Sequence, residues 1–358
     1  MSDMLITMCV IAYNEEQNIN GILECIKNQD YDHNNMEVVL VDGASTDNTR
    51  ALMCEFALDN KDEFRRVVVL DNPKKTLPSG WNVALREYKG DAIIKVDAHA
   101  VIPEDFVSKN VRVLETGEYI CGGQRPNIID KPTPFKETLL LAESSMFGSS
   151  IASYRNNPGK TYVKSLFHAA YRREVFEKVG FFNEELVRTE DNEIHYRMRK
   201  AGYKLCFDPD IISYQYTRSS LKAILKQKYA NGYWIGKTSK VCPKCLSIYH
   251  FVPFAFVSAI IASGSVIGAT GLAECIKKRH NHTLGKGISA LRKVTVVLTT
   301  VMWVLYALMA SGMAAVSAFK AEDKRNITNA CLPVLFLLLH LSYGIGTIAG
   351  LMDKLKRG

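Results

Sequence analysis

Asp97 and His99 stand one residue apart in the stretch Lys95-Val96-Asp97-Ala98-His99-Ala100, which an apolar run, Ala92-Ile93-Ile94, leads into. A carboxylate and an imidazole at that spacing can both reach one divalent cation, or the phosphates it carries. The plainer alternative is a solvated strand end whose Asp97 starts a turn. Tyr13-Asn14-Glu15 and Asp42 end two earlier apolar runs. Two acids at adjacent strand ends can hold the base and ribose hydroxyls of a nucleotide; equally, both can serve as helix caps. Glu190 and Asp191 open a further segment, Thr189-Glu190-Asp191-Asn192-Glu193. Acids in a first helical turn commonly do no more than face the helix dipole, so any chemistry they perform depends on their surroundings.

The elements that would position these residues follow from hydrophobic periodicity. Leu5–Ala12, Val38–Val41, Arg66–Leu70 and the run ending at Asp97 are short apolar stretches of strand length. Between them the pattern turns helical. Asn14 is expected to cap a helix opened by Glu15 and Glu16, with Ile19, Ile22, Leu23 and Ile26 on one face. Ser45-Thr46-Asp47 is expected to start the next, and Pro78 to open a third that runs to about Tyr88. Pro103-Glu104-Asp105 opens a fourth. Such alternation predicts a doubly wound α/β sheet, whose ligands collect at the C-terminal ends of the strands. No GxGxxG follows the first strand, so a dinucleotide site is a poor fit. Tyr119–Gly123 predicts another strand, Phe167–Arg173 a strand and then a helix, and Glu190–Lys200 a helix stopped by Gly202. Pro132, Pro134 and Asn156-Asn157-Pro158-Gly159 predict loops near a site, and Phe181–Leu186 another loop. Arg172 and Arg173 could contact phosphate or be surface charge.

The 358 residues suffice for one large domain with an appendage, or for two domains. A net charge of +8 suits anionic membrane lipids or anionic substrates, without the charge density of a nucleic-acid binder. Nine scattered cysteines predict free thiols in a reducing compartment, and Cys242-Pro243-Lys244-Cys245 is a lone CxxC where structural zinc needs four ligands. The N-terminal run lacks the basic region of a signal peptide. Soluble-enzyme character extends over residues 1–215. Residues 216–250 predict an amphipathic interfacial helix, capped by Ser219, with Leu221, Ile224 and Leu225 set against Lys222, Lys226 and Lys228. Residues 251–358 form a membrane domain with uncharged stretches at about 251–273, 294–319 and 330–352, each exceeding the roughly 20 residues a crossing helix needs. A re-entrant or interfacial first stretch would keep Lys277, Lys278, Arg279, Lys286, Arg292, Lys293, Lys354, Lys356 and Arg357 on the inner side, as the positive-inside tendency favours. His340 is expected to pack, uncharged, against another helix.

Taken in order, Ala12-Tyr13-Asn14-Glu15, Val41-Asp42-Gly43-Ala44-Ser45-Thr46-Asp47, Ser79-Gly80-Trp81-Asn82, Asp97-Ala98-His99, Ala170-Tyr171-Arg172-Arg173 and Glu190-Asp191 resemble the motifs of family 2 glycosyltransferases, which have a GT-A fold. Within that family the chain looks like the membrane-anchored, ExoA-like transferases of succinoglycan and related exopolysaccharide assembly. The resemblance implies a role for each position. Ala12, Tyr13, Glu15, Asp42, Asn82 and Asp97 would meet the nucleotide-diphosphate sugar. Asp97 and His99, standing at the DxD position, would hold Mg²⁺ or Mn²⁺, with His99 favouring the more nitrogen-tolerant Mn²⁺. Asp191 would be the catalytic base, with Glu190 beside it. Gln227 and Trp234 would lie near the acceptor channel, although the QxxRW motif of processive synthases is replaced here by Gly232-Tyr233-Trp234 at a longer spacing. The implied enzyme is an inverting transferase at the cytoplasmic face of a cell membrane. It would extend a lipid-linked saccharide among membrane lipids, alongside polysaccharide-assembly proteins and without nucleic acid. A polyprenyl-phosphate sugar synthase and a non-catalytic sugar-nucleotide-binding scaffold subunit are the alternatives.

Overall fold

The computed structural model describes residues 3–148, 159–218, 220–280, 285–321 and 326–354. The loop expected at Asn156-Asn157-Pro158, the cap expected at Ser219, and Lys356 and Arg357 lie outside the described residues. The described chain divides into two compact units. One holds residues up to 130, 159–217 and 242–245; the other holds 131–148 and, apart from 242–245, the chain from 218 onward.

In the first unit, β1 (Ile6–Ala12), β2 (Met36–Asp42), β3 (Arg66–Asp71) and β4 (Ala92–Asp97) alternate with α1 (Ile19–Lys27), α2 (Thr49–Asp59) and α3 (Leu77–Glu87). The four strands are parallel, in the order β3-β2-β1-β4, with Ala12 opposite Asp42 and Ile11 opposite Asp97. β5 (Ala100–Val101), α4 (Phe106–Glu115), β6 (Ile120–Gln124) and β7 (Asn127–Ile128) follow, and α5 (Pro134–Ser144) belongs to the other unit. The chain returns through β8 (Thr161–Val163), β9 (Ala170–Arg172), α6 (Arg173–Val179), α7 (Glu190–Lys200), β10 (Leu205–Ile212) and β11 (Tyr214–Tyr216). β9 lies antiparallel between β4 and β6, so the sheet is mixed where alternation alone predicted parallel strands. β5, β11 and β7 form a second small sheet.

Both faces of the large sheet are buried, which accounts for the continuous apolar runs of its strands. Met8 and Val10 face Ile19, Ile22 and Ile26 of α1, while Cys9 and Val39 pack in the opposite layer with Trp81 and Leu85 of α3. A Cβ at Gly80 would stand 2.7 Å from the Ile11 side chain, so glycine lets α3 lie directly on β1. Two helix starts differ from expectation. α1 begins at Ile19 rather than beside Asn14, and α2 at Thr49 rather than at Ser45. The freed residues 13–18 and 43–48 form loops.

In the second unit, α5 packs with α8 (Leu221–Val241), α9 (Val252–Arg279), α10 (Lys286–Lys320) and α11 (Leu332–Met352). α8 falls within the stretch expected to be an amphipathic interfacial segment, and that expectation says nothing of what the helix packs against. The helix runs against α11, backbone to backbone: a Cβ on Gly232 would stand 2.0 Å from Tyr343 O, and one on Gly350 2.0 Å from Tyr233 O. Small residues at such crossings are the usual device for close helix packing within membranes. Lys228 of α8 and Glu143 of α5 form a buried ion pair at 3.4 Å. His340 packs between helices as expected, its Nδ1 3.0 Å from the Tyr306 hydroxyl and its Nε2 2.7 Å from Phe147 O. Three helical stretches, Ile248–Arg279, Lys286–Lys320 and Ile327–Met352, are long and apolar enough to cross a membrane. α9 is unbroken over 28 residues, about 42 Å at the helical rise. It offers no break at which the chain could turn back, so the re-entrant reading of this stretch is corrected to a full-length helix.

Candidate active site

The loops after β1 and β2 cap each other. Asn14, at φ 54°, accepts from Thr46 N through its side chain and donates its own N–H to Ser45 Oγ. Glu15 N donates to Thr49 Oγ1, Glu16 N to Asp47, and Asn48 N to Glu16. Gly43 N donates to Ala12 O, and a Cβ there would press on Ala12 O and Tyr13 at 3.1 Å. Ala44 also takes the left-handed conformation, at φ 56°. Asp42 is buried beneath, both oxygens accepting from Ser45 N. Two strand ends thus form one cross-braced rim, from which the exposed ring of Tyr13 projects with Lys75 Nζ 5.9 Å from its centre. The signal was present in the sequence: Asn14 and Ser45-Thr46-Asp47 are cap residues, but Asn14 and Ser45 brace each other's loops, and Asp47 accepts both from Glu16 N and from Thr49 N of its own helix.

The end of β4 supplies the charged centre. Strand geometry puts Lys95 and Asp97 on the same face. Lys95 is 3% exposed, and its Nζ lies 2.8 Å from Asp191 Oδ1 and 3.7 Å from Glu190 Oε1. The ammonium also sits over the rings of Trp81 and Phe167, at 5.3 and 5.8 Å. Burial disfavours its charge, but Asp191, Glu190 and Asp97 outweigh that and hold it above the ordinary lysine range. The two acids of α7 differ. Glu190 is 3% exposed, and its Oε2 is buried without a hydrogen bond. Burial, reinforced by Asp191, pushes its carboxyl up to about 8 against the pull of Lys95. The Asp191 side chain retains 19% of its surface, and among the described residues only its Oδ1 is taken, by Lys95.

Asp97 Oδ2 faces Nε2 of buried His168 at 3.4 Å, and His168 Nδ1 meets Ser213 Oγ at 2.9 Å. Burial works against the Asp97 charge, but His168, Lys95 and His99 beside it keep the carboxyl well below its usual range. Burial holds His168 itself below the usual histidine range. His99 has both ring nitrogens engaged: Gln215 Nε2 approaches its Nε2 at 3.1 Å, and Glu15 Oε1 its Nδ1 at 3.3 Å. A donating amide at Nε2 leaves the ring proton on Nδ1, facing Glu15.

Of the residues singled out by sequence, Ala12, Tyr13, Glu15 and Asp42 therefore share the rim, which His99 ties to the β4 end, and Asp97, Glu190 and Asp191 surround Lys95. Asn82 departs from expectation. It is 3% exposed, donates to Phe182 O at 3.0 Å and Glu184 Oε1 at 2.9 Å, and accepts from Phe182 N at 2.8 Å, so its side chain clamps the loop before α7. Arg172 and Arg173 are settled as structural, donating to Leu114, Glu118, Tyr88 and Gly90 carbonyls. Gln227 and Trp234 belong to the other unit, on α8. Sequence reasoning passed over Lys95, His168 and Gln215. For Lys95 the signal was a lysine inside a strand otherwise apolar up to Asp97, which needs a counter-charge to be buried.

Among the described residues no group of three or more His, Cys, Asp or Glu side chains is arranged to hold a metal ion. Asp97 fits a cation that takes its remaining ligands from a bound diphosphate: it is ionised, and its Oδ1 accepts no hydrogen bond among the described residues.

Residues 7–180 match the sequence family described as Glycosyl transferase family 2. A dolichyl N-acetyl-alpha-D-glucosaminyl phosphate 3-beta-D-2,3-diacetamido-2,3-dideoxy-beta-D-glucuronosyltransferase of Methanococcus voltae is 26% identical, over 72% of this chain and 80% of its own. The succinoglycan biosynthesis protein ExoA of Rhizobium meliloti is 28% identical, over 64% of this chain and 68% of its own. Among solved structures, the mannosyltransferase PcManGT of Pyrobaculum calidifontis, in complex with GDP-Man and Mn²⁺, superposes with a TM-score of 0.57 at 17% identity. That superposition covers 96% of this chain and 87% of the other, and it gives the fold as GT-A.

Proposed function

The chain is a glycosyltransferase carrying a family 2 domain, and from that premise we propose that it moves a sugar from a nucleotide-diphosphate donor to a polyprenyl-linked saccharide, with inversion, at the cytoplasmic face of a membrane. The observation that carries this reading is the asymmetry of the acidic pair. Asp191 alone reaches solvent, on the same buried lysine as the strand that bears Asp97.

In this reading Tyr13, Glu15 and Asp42 form the cradle for base and ribose, pre-set by the cross-braced loops. Asp97 would hold a divalent cation, Mn²⁺ or Mg²⁺, which when bound would supply neutralisation of the charge that builds on the leaving diphosphate. His168 and Ser213 orient Asp97 from behind. His99 serves the cradle by fixing Glu15, since ligation through its Nε2 would require Gln215 to let go. Asp191 takes the proton of the acceptor hydroxyl on the free Oδ2 as that oxygen attacks the anomeric carbon. One base suffices for one in-line displacement, unlike the paired carboxylates of glycosidases. Glu190, buried at 3% exposure, is not presented to the acceptor and adds no second base.

The names of the two relatives, one acting on a dolichyl-phosphate sugar and one in succinoglycan biosynthesis, support a lipid-linked saccharide acceptor and a cell-surface polysaccharide product. The apolar helices α9, α10 and α11 would keep the enzyme where such an acceptor resides. The test is a panel of sugar nucleotides assayed with membranes containing the full chain, with and without a chelator. Transfer to lipid-linked saccharide that stops on chelation and returns with Mn²⁺ is expected. Transfer to bare polyprenyl phosphate would overturn the acceptor, undiminished transfer under chelation would overturn the cation, and turnover by Asp191→Asn would overturn the base.

A further inference from the structure

We infer that Lys95 is the positioning residue for the base: its ammonium pins Asp191 by Oδ1, leaves Oδ2 to face the acceptor hydroxyl, and ties the base to the strand that carries Asp97. The inference rests on the reading of Asp191 as base.

A lysine is a costly way to fill this place. Ala92, Ile93, Ile94 and Val96 around it on β4 are all buried and apolar, and a buried ion cluster is at best a weak stabiliser compared with apolar packing. The ammonium is walled by Trp81 and Phe167 and reaches carboxylates on a different element, the first turn of α7. Its choice between them is geometric. Asp191 takes the short contact at 2.8 Å, while Glu190 stands at 3.7 Å with its other oxygen unbonded. A carboxylate held by one oxygen cannot swing freely, and the other oxygen then points in a fixed direction. Because Lys95 and Asp97 are two residues apart on one strand face, about 6.6 Å along the chain, the base and the leaving-group side are set from the same rigid element. In-line displacement needs that spacing held closely, and small misplacements of a reacting group can cost about 100-fold in rate.

The experiment compares the full chain carrying Lys95→Met, Lys95→Gln, Lys95→Arg or Asp191→Asn, in detergent or native membranes, for nucleoside-diphosphate binding with Mn²⁺, donor KM and kcat. The expected result is unchanged nucleotide binding and donor KM for Lys95→Met, with kcat lower by about 100-fold. Lys95→Arg should recover part of kcat and Lys95→Gln should not. Wild-type kcat in Lys95→Met beside a dead Asp191→Asn overturns the positioning role and leaves the base intact. A raised donor KM with unchanged kcat assigns Lys95 to donor binding and also overturns it. Should Lys95→Met fail to fold, the Arg and Gln pair decides, and equal kcat in the two overturns the inference. Turnover by Asp191→Asn removes the base itself, a different failure from that of Lys95.

Discussion

Asn82→Ala separates two readings of one residue. The resemblance places Asn82 at the donor; the geometry makes it the clamp of the loop that leads into α7. The substitution removes the two bonds donated to Phe182 O and Glu184 Oε1 and the one accepted from Phe182 N. Each such bond contributes about 1 kcal/mol, and a buried group left unpaired costs about 1–3 kcal/mol. Phe182 is buried, so its N–H and C=O have no ready access to water. Trp81, stacked on Phe182 at 5.8 Å, loses its fixed neighbour as well. The expected loss is about 3–5 kcal/mol, which for a unit of this size lowers the melting temperature by roughly 10 °C. The assay is thermal unfolding of the solubilised full chain, paired with nucleotide titration below the transition. Stability should fall and the nucleotide dissociation constant should stay unchanged. A tenfold weaker dissociation constant at unaltered melting temperature would refute the clamp and return Asn82 to the donor.

Three further outcomes follow from the structure. Gly350→Leu drives a side chain into Tyr233 O and should destabilise the helical unit by about 2 kcal/mol or more, whereas Gly264→Leu, with open space around it, should be neutral; equal melting temperatures would contradict the α8–α11 crossing. His195 is buried between Ser165 and Tyr171, and burial lowers its pKa from 6.5 to about 4. The folded state thus binds its proton later than the unfolded state, so stability is full above pH 6.5 and falls by about 3 kcal/mol as pH drops from there to about 4. Denaturant titrations across that window should show the fall, and His195→Gln should flatten it. If all three apolar helices cross and the catalytic unit is cytoplasmic, a cysteine at position 280 should react with an impermeant maleimide from outside intact cells; labelling only after permeabilisation would rule out that topology.

The parallel half of the sheet was legible because strands buried on both faces are continuous apolar runs, and because β2 and β4 end at Asp42 and Asp97 while β1 leads into the turn that bears Glu15. The antiparallel insertion of β9 was not, since Phe167–Arg173 reads as a strand without saying which neighbour it pairs with or in which direction. The acids were legible by type. Their roles were not, because what distinguishes Asp191 from Glu190 is a lysine 96 residues earlier in the chain. The glycines of α8 and α11 are unremarkable in sequence, and their meaning appears only when two backbones meet. The segment 131–148 reads as loop within a soluble domain, and its helix α5 was missed because its apolar partners lie at the other end of the chain.

That last placement bears on how the protein can be made. Thr138 on α5 finds its hydrogen-bond partner Asn329 only 191 residues later. At ribosomal speed that is roughly 10–40 s during which α5 has been synthesised and its final neighbours have not. α5 must wait for the last helix of its own unit, so the synthesis of α11 is the event that completes that unit. Truncation after residue 215, the natural cut for a soluble fragment, would strand α5 without cover and remove the Cys242–Cys245 turn from the first unit. Ribosome-bound intermediates should therefore stay dependent on chaperones until the final helix emerges, and folded protein is better sought from the whole chain in membranes or detergent than from a shortened one.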